Sequence, residues 1–158
     1  MNDAHLHMVV NHFPIIGTIF GLGILIAGIA AKNNAIKNVA YVLFVVGALF
    51  TLASMSTGEG AEELVENLPD VGHHIIHEHE ELAEKFAIVS YLLGVVSIIG
   101  WFANIKNHGK AKLVSFVVLI IAVIAVIMAK SVGTSGGEVR HTEIRENNAQ
   151  AEHHEDND

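Results

Sequence analysis

Apolar and polar positions alternate in long blocks along the 158 residues. Crossing a hydrocarbon core of about 30 Å takes roughly 20 helical residues. Four blocks reach that length, at residues 12–31, 36–56, 86–105 and 112–131, with no ionisable side chain at the middle of any. The connections Lys32–Ala35 and Lys106–Ala111 are short, and short connections join antiparallel neighbours. The pattern predicts an all-α integral membrane protein, an up-down four-helix bundle within a membrane domain at 1–135. A polar, acidic tail follows at 136–158, and its last dozen residues have the composition of disordered chain. Lys32, Lys37, Lys106, Lys110 and Lys112 flank the short connections with no Asp or Glu among them. The positive-inside rule then puts that end in the cytoplasm and both termini on the non-cytoplasmic side. The expected location is a cytoplasmic membrane crossed several times, with the other end in a periplasm or its equivalent.

Composition agrees with this reading. The chain is 51% hydrophobic and only 16% charged, against about 25% charged in soluble domains. The net charge of −8 argues against a nucleic-acid partner. There is no cysteine, so disulfides and thiolate chemistry are excluded. A signal-peptide reading of the first block fails because Met1–Asn11 has no Lys or Arg. Gly17, Gly21 and Gly28 share one stripe of the first span, where small residues let helix backbones approach. The stripe is a packing surface, with homo-oligomer contact as an alternative use.

Candidate chemistry gathers at the end away from the lysines. His5 and His7 lie on a lead-in that folds across the mouth of the first span, where extended chain turns both rings to one face, and His12 opens that span behind Asn11, an expected N-cap. Pro14 then falls in the first turn, where its missing N–H does no harm. After the second span, Ser56 and Glu59 have capping-box spacing for a short separate helix, with Glu59 the carboxylate nearest the membrane. On a helical projection of residues 73–86, Ile75, Ile76, Leu82, Ala83 and Phe86 form one apolar arc with His79 at its centre. His73, His77, Glu80 and Glu84 lie opposite, and His74, Glu78, Glu81 and Lys85 fill the side. A buried imidazole needs a hydrogen-bond partner or a metal. HEHEE lacks the H-E-x-x-H spacing of zinc proteases. Past Lys130, Gly136 and Gly137 permit a sharp turn that returns Arg140, His141 and Glu143 over the mouth. His108, His153 and His154 are assigned no role. An up-down topology brings residues 5–12, 57–63, 73–84 and 136–143 to one end, and apart from His108 the opposite end has no such groups.

The NHFPI of residues 11–15, with His7 five positions before His12, resembles the start of a bacterial membrane family of unknown function numbered 2231. Thr57-Gly58 and His79 fit the same pattern, and the likeness covers most of residues 5–130. Met8 stands where the family often has proline. GEGAEE, HEE and GGEVRH look like a Bacteroidetes-type branch. The resemblance implies a small four-helix membrane protein and no particular activity.

Three functions follow from the residues. The first is binding of haem b and electron transfer, with His12 and His79 as axial ligands and Arg140 on a propionate. The second is a non-haem Zn, Cu or Fe site drawn from His5, His7, His12, Glu59, His79, Glu80 and His141. The third is an accessory subunit of a larger, respiratory-type membrane complex, with the cluster as a polar latch and no cofactor. Transport is disfavoured because the span centres carry no ionisable groups.

Overall fold

The computed structural model describes residues 2–66 and 71–145, so the tail from residue 146, with His153 and His154, lies outside the described residues. It is built of helices: α1 (Asp3–Val10), α2 (His12–Ala30), α3 (Asn34–Val65), α4 (His73–Ile105) and α5 (Ala111–Arg140), then a short 3-10 turn at Thr142–Ile144. Four stretches are long and apolar enough to cross a membrane: Asp3–Ala30, Asn34–Val65, His73–Ile105 and Ala111–Arg140.

Helices of 32, 33 and 30 residues are about 45–50 Å long, well beyond a hydrocarbon core of about 30 Å. The excess lies at the histidine end, where all four stretches run past their apolar parts. Three expectations are corrected there. The lead-in is the helix α1, not extended chain, and Asn2 caps it by accepting the His5 N–H at 3.0 Å. On a helix, His5 and His7 stand about 200° apart and cannot share a face. Residues 56–65 continue α3 without a break, and the Ser56 hydroxyl bonds back to the Ala53 carbonyl instead of capping a new helix. Gly136 and Gly137 lie inside α5, which ends at Arg140.

The break between α1 and α2 has a local cause. Pro14 has no N–H to offer the Val10 carbonyl, and its ring crowds that carbonyl. Asn11 keeps helical angles but makes no side-chain cap, so α2 starts at His12 as expected, without the expected cap. At the other end, Asn33 caps α3 by accepting from Ala35 N–H and Ile36 N–H. Lys32 (φ 52°) and Asn107 (φ 48°) close the two tight turns in left-handed conformation.

Packing is that of a membrane bundle, with small groups inside and large apolar ones outside. The buried stripe of α5 is Ser115, Val118, Ala122, Ala125, Ala129, Val132 and Ser135. Phe20, Leu49, Ile88, Ile120 and Ile127 point outward. So much exposed apolar surface is untenable in water and suits lipid. Gly21 and Gly28 face α3: a methyl on Gly21 would meet the Phe44 ring, and one on Gly28 would meet Lys37. That part of the glycine stripe is therefore covered within the chain.

Candidate functional site

The mouth at the histidine end is built by α1, the extended ends of α3 and α5, and the start of α4. α1 lies along α3, where Gly60 leaves room for the Asp3 carboxylate and Gly58 lies beneath the His7 ring. His7 Nδ1 is 3.1 Å from the Ser54 carbonyl oxygen and 3.1 Å from Thr57 Oγ1. A carbonyl only accepts, so Nδ1 carries the proton and Nε2 keeps a bare lone pair. The Thr57 hydroxyl donates to the Ala53 and Ser54 carbonyls, which leaves its oxygen as acceptor as well.

His79 reaches the same state from the other side. Its Nδ1 is 2.9 Å from Ser135 Oγ. The Ser135 hydroxyl donates to Val132 O at 3.1 Å, so it accepts from the ring. Again Nδ1–H is donated and Nε2 is bare. The ring lies on Gly136, where an added Cβ would stand 2.9 Å from His79 Cε1. That contact leaves no room for a side chain at this position in the last turns of α5. The two imidazoles are within electrostatic reach of each other. One turn beyond His7, on the same face, the Asn11 Oδ1 is buried with no hydrogen-bond partner.

The other predicted residues are placed differently. His12 is exposed, and its Nδ1 donates to Met8 O at 2.8 Å. His5 is exposed. Glu59 is exposed as well, and Glu62 is the α3 carboxylate that meets Glu80 of α4. His73, His74 and His77 are exposed. His141 pairs with Glu143 at 2.8 Å on the surface. The backbone N–H of Glu143, and after it His141, hold that carboxyl below the usual range. Arg140 is exposed on the last turn of α5. The residue that folds back is Arg145, which donates to the Glu138 and Val139 carbonyls and caps α5. Among the described residues no three His, Asp or Glu side chains are grouped to hold a metal ion.

A model of the family described as Predicted membrane protein (DUF2231) matches residues 4–143, nearly the whole described chain. The chain belongs to this family. DUF2231 membership and the four apolar helices agree that this is a polytopic membrane protein. No curated protein and no solved structure matches it. The family description stops at the membrane, so chemistry must be argued from the side chains.

Sequence reasoning missed a second polar cluster, at the lysine end. Lys37 is only 8% exposed, and its Nζ lies 3.5 Å from Ser115 Oγ. Tyr41 OH donates to the same Ser115 at 2.8 Å. Asn104 Nδ2 donates to Asn38 Oδ1 at 2.9 Å, while Asn104 Oδ1 is buried without a partner. The available signal was Lys37 and Tyr41 one turn apart on a span, with Ser115 and Asn104 at matching depth. Nearer the middle, Thr51 and Ser90 share a hydrogen bond of 2.9 Å.

Proposed function

We propose that this DUF2231 protein binds a haem-type redox centre at the mouth and passes electrons at the outer face of a bacterial inner membrane. The observation that carries the reading is the pair His7 and His79, each with Nδ1–H donated to a protein oxygen and Nε2 left bare. That is how iron- and zinc-binding imidazoles are oriented, because the outer hydrogen bond sets both the tautomer and the ring plane. Asn11, one turn after His7, adds support, because its Oδ1 is buried with no hydrogen-bond partner.

Ligand number favours haem over a bare ion. Zinc and most non-haem metals take three or four protein ligands, and the mouth groups two imidazoles without a third ligand among the described residues. Haem iron takes four nitrogens from the porphyrin and needs only two axial side chains. His12 has the same tautomer, its Nδ1 donating to Met8 O, but it is exposed whereas His7 and His79 are half-buried, so His7 replaces it as the partner of His79. Arg140, exposed on the last turn of α5, is the residue assigned to a propionate in this reading. A bound haem would supply one-electron chemistry, and His7, His79 and Arg140 would bind and orient it. A non-haem site has one observation in its favour, the meeting of Glu62 and Glu80 across α3 and α4.

The test is an absorption spectrum of the purified protein with haem supplied. One haem per chain, lost in His7→Ala and in His79→Ala but kept in His12→Ala, supports the reading. Colourless protein that takes up stoichiometric metal through Glu62 and Glu80 would replace it with the non-haem site.

A further inference from the structure

The lysine end carries an unneutralised cation. Between residues 12 and 56, and again between 86 and 137, the sequence contains no Asp or Glu. Lys37 sits one turn inside α3, with Lys32, Lys106, Lys110 and Lys112 in and around the neighbouring turns. Among the described residues its ammonium has one hydrogen-bond partner, the neutral Ser115 hydroxyl at 3.5 Å. A buried ammonium is costly without a counter-charge. The chain nevertheless makes space for it: Gly28 has no side chain, and a Cβ there would come within 2.8 Å of Lys37 Cγ. Gly100 does the same for Tyr41, where a Cβ would come within 2.9 Å of the ring.

The surrounding groups narrow what belongs there. Ser115 gives its own proton to Ala111 O at 2.9 Å and accepts from both Tyr41 and Lys37, and a neutral hydroxyl brings no counter-charge to the ammonium. Asn104, only 3% exposed, has an acceptor oxygen with no partner. A cation lacking an anion and an acceptor lacking a donor stand in one connected cluster. Both are satisfied by a ligand that carries a negative phosphate and a hydroxyl. The membrane surface offers such a group in the head of a glycerol phospholipid, and the aqueous phase offers hydrogen phosphate.

We propose that Lys37, Tyr41, Asn104 and Ser115 form a phosphate-binding site at the lysine end of the bundle. Lys37 supplies the charge, and Asn104 Oδ1 accepts from the ligand's hydroxyl. The site is separate from the histidine mouth and does not depend on what that mouth binds.

The full chain is purified in detergent and offered phosphatidylglycerol and phosphatidylcholine together, and retained lipid is counted by native mass spectrometry. Parallel samples without lipid are titrated with inorganic phosphate and followed by thermal unfolding. A charge-assisted contact of this kind predicts a preference for phosphatidylglycerol of about tenfold. Lys37→Met removes that preference and Asn104→Leu weakens it, whereas Lys112→Gln, at an exposed position in the first turn of α5, leaves it in place. Stabilisation by inorganic phosphate that Lys37→Met abolishes, without a lipid preference, also supports the site and assigns it to the soluble anion. If Lys37→Met changes neither response, the site is overturned and Lys37 is a packing residue alone. Should Lys37→Met fail to fold, Ser115→Ala and Asn104→Leu decide by the same two readouts.

Discussion

Gly136→Ala isolates the contact on which the candidate site rests. Inside a helix, Ala is better than Gly by about 1 kcal/mol, so an unconstrained position would gain stability. At Gly136 the new Cβ would stand 2.9 Å from His79 Cε1 and 3.5 Å from both ring nitrogens. The imidazole must then move off the helix. The move weakens its bond to Ser135 Oγ, worth about 1 kcal/mol, and adds overpacking of about 1–3 kcal/mol. The net expectation is destabilisation by about 1–3 kcal/mol, a fall in Tm of roughly 2–12 °C at about 2–4 °C per kcal/mol for a chain of this size. Thermal unfolding in detergent measures it, with Gly133→Ala as the control. There an added Cβ makes only an ordinary contact, 3.7 Å from Ile15 Cδ1, and stability should rise. The decisive step is to repeat Gly136→Ala on His79→Ala. With the ring gone the clash goes too, and the substitution should stabilise by about 1 kcal/mol. If Gly136→Ala stabilises the wild-type chain, or acts alike in both backgrounds, the placement of His79 over α5 is wrong.

Other consequences are open to measurement. Ser135→Ala removes the acceptor that orients His79 and should weaken haem binding about 10–100-fold in a spectral titration while the chain stays folded. Gly21→Val should block the approach of α2 to α3, because a Cβ at Gly21 lies 2.5 Å from Phe44 Cε1. A loss of about 2–4 kcal/mol is expected, partly restored by Phe44→Ala and read from detergent unfolding. Lys32→Gly should stabilise by about 0.5–1 kcal/mol, because Lys32 holds φ 52° and glycine adopts that angle without strain; no rise in Tm would contradict the turn geometry.

How much of this could be read beforehand depends on the physical signal. The spans were legible because twenty apolar residues in a row have few soluble explanations. The inward aim of His79 was legible because Ile76, Leu82, Ala83 and Phe86 fix the buried face of α4 at helical period. The lengths of the helices were not. Ser56 and Glu59 read as the start of a new helix and Gly136 and Gly137 as a turn, yet in the fold the helices run on, and glycines yield to neighbouring side chains, Asp3 at Gly60, His79 at Gly136 and Ile144 at Gly137. A close approach between distant segments leaves no periodicity to detect. α1 was hidden by Pro14, whose effect on the carbonyl four residues earlier looks like the end of structure rather than a joint between helices. For the same reason His7 was grouped with His5 on extended chain, and its pairing with His79 went unread. Lys37 was obscured by its company, since five lysines near two turns read as a topology signal and the burial of one cannot be told from its neighbours.

The central claim is that His7 and His79 together hold a redox centre through Nε2. The most direct measurement is a haem titration of the purified chain followed in the Soret region, on wild type, His7→Ala, His79→Ala and His12→Ala. The account predicts one haem per chain with two imidazole ligands in wild type and His12→Ala, and loss of that spectrum in each of the other two. Equal haem binding by all four proteins, or loss only in His12→Ala, would contradict it.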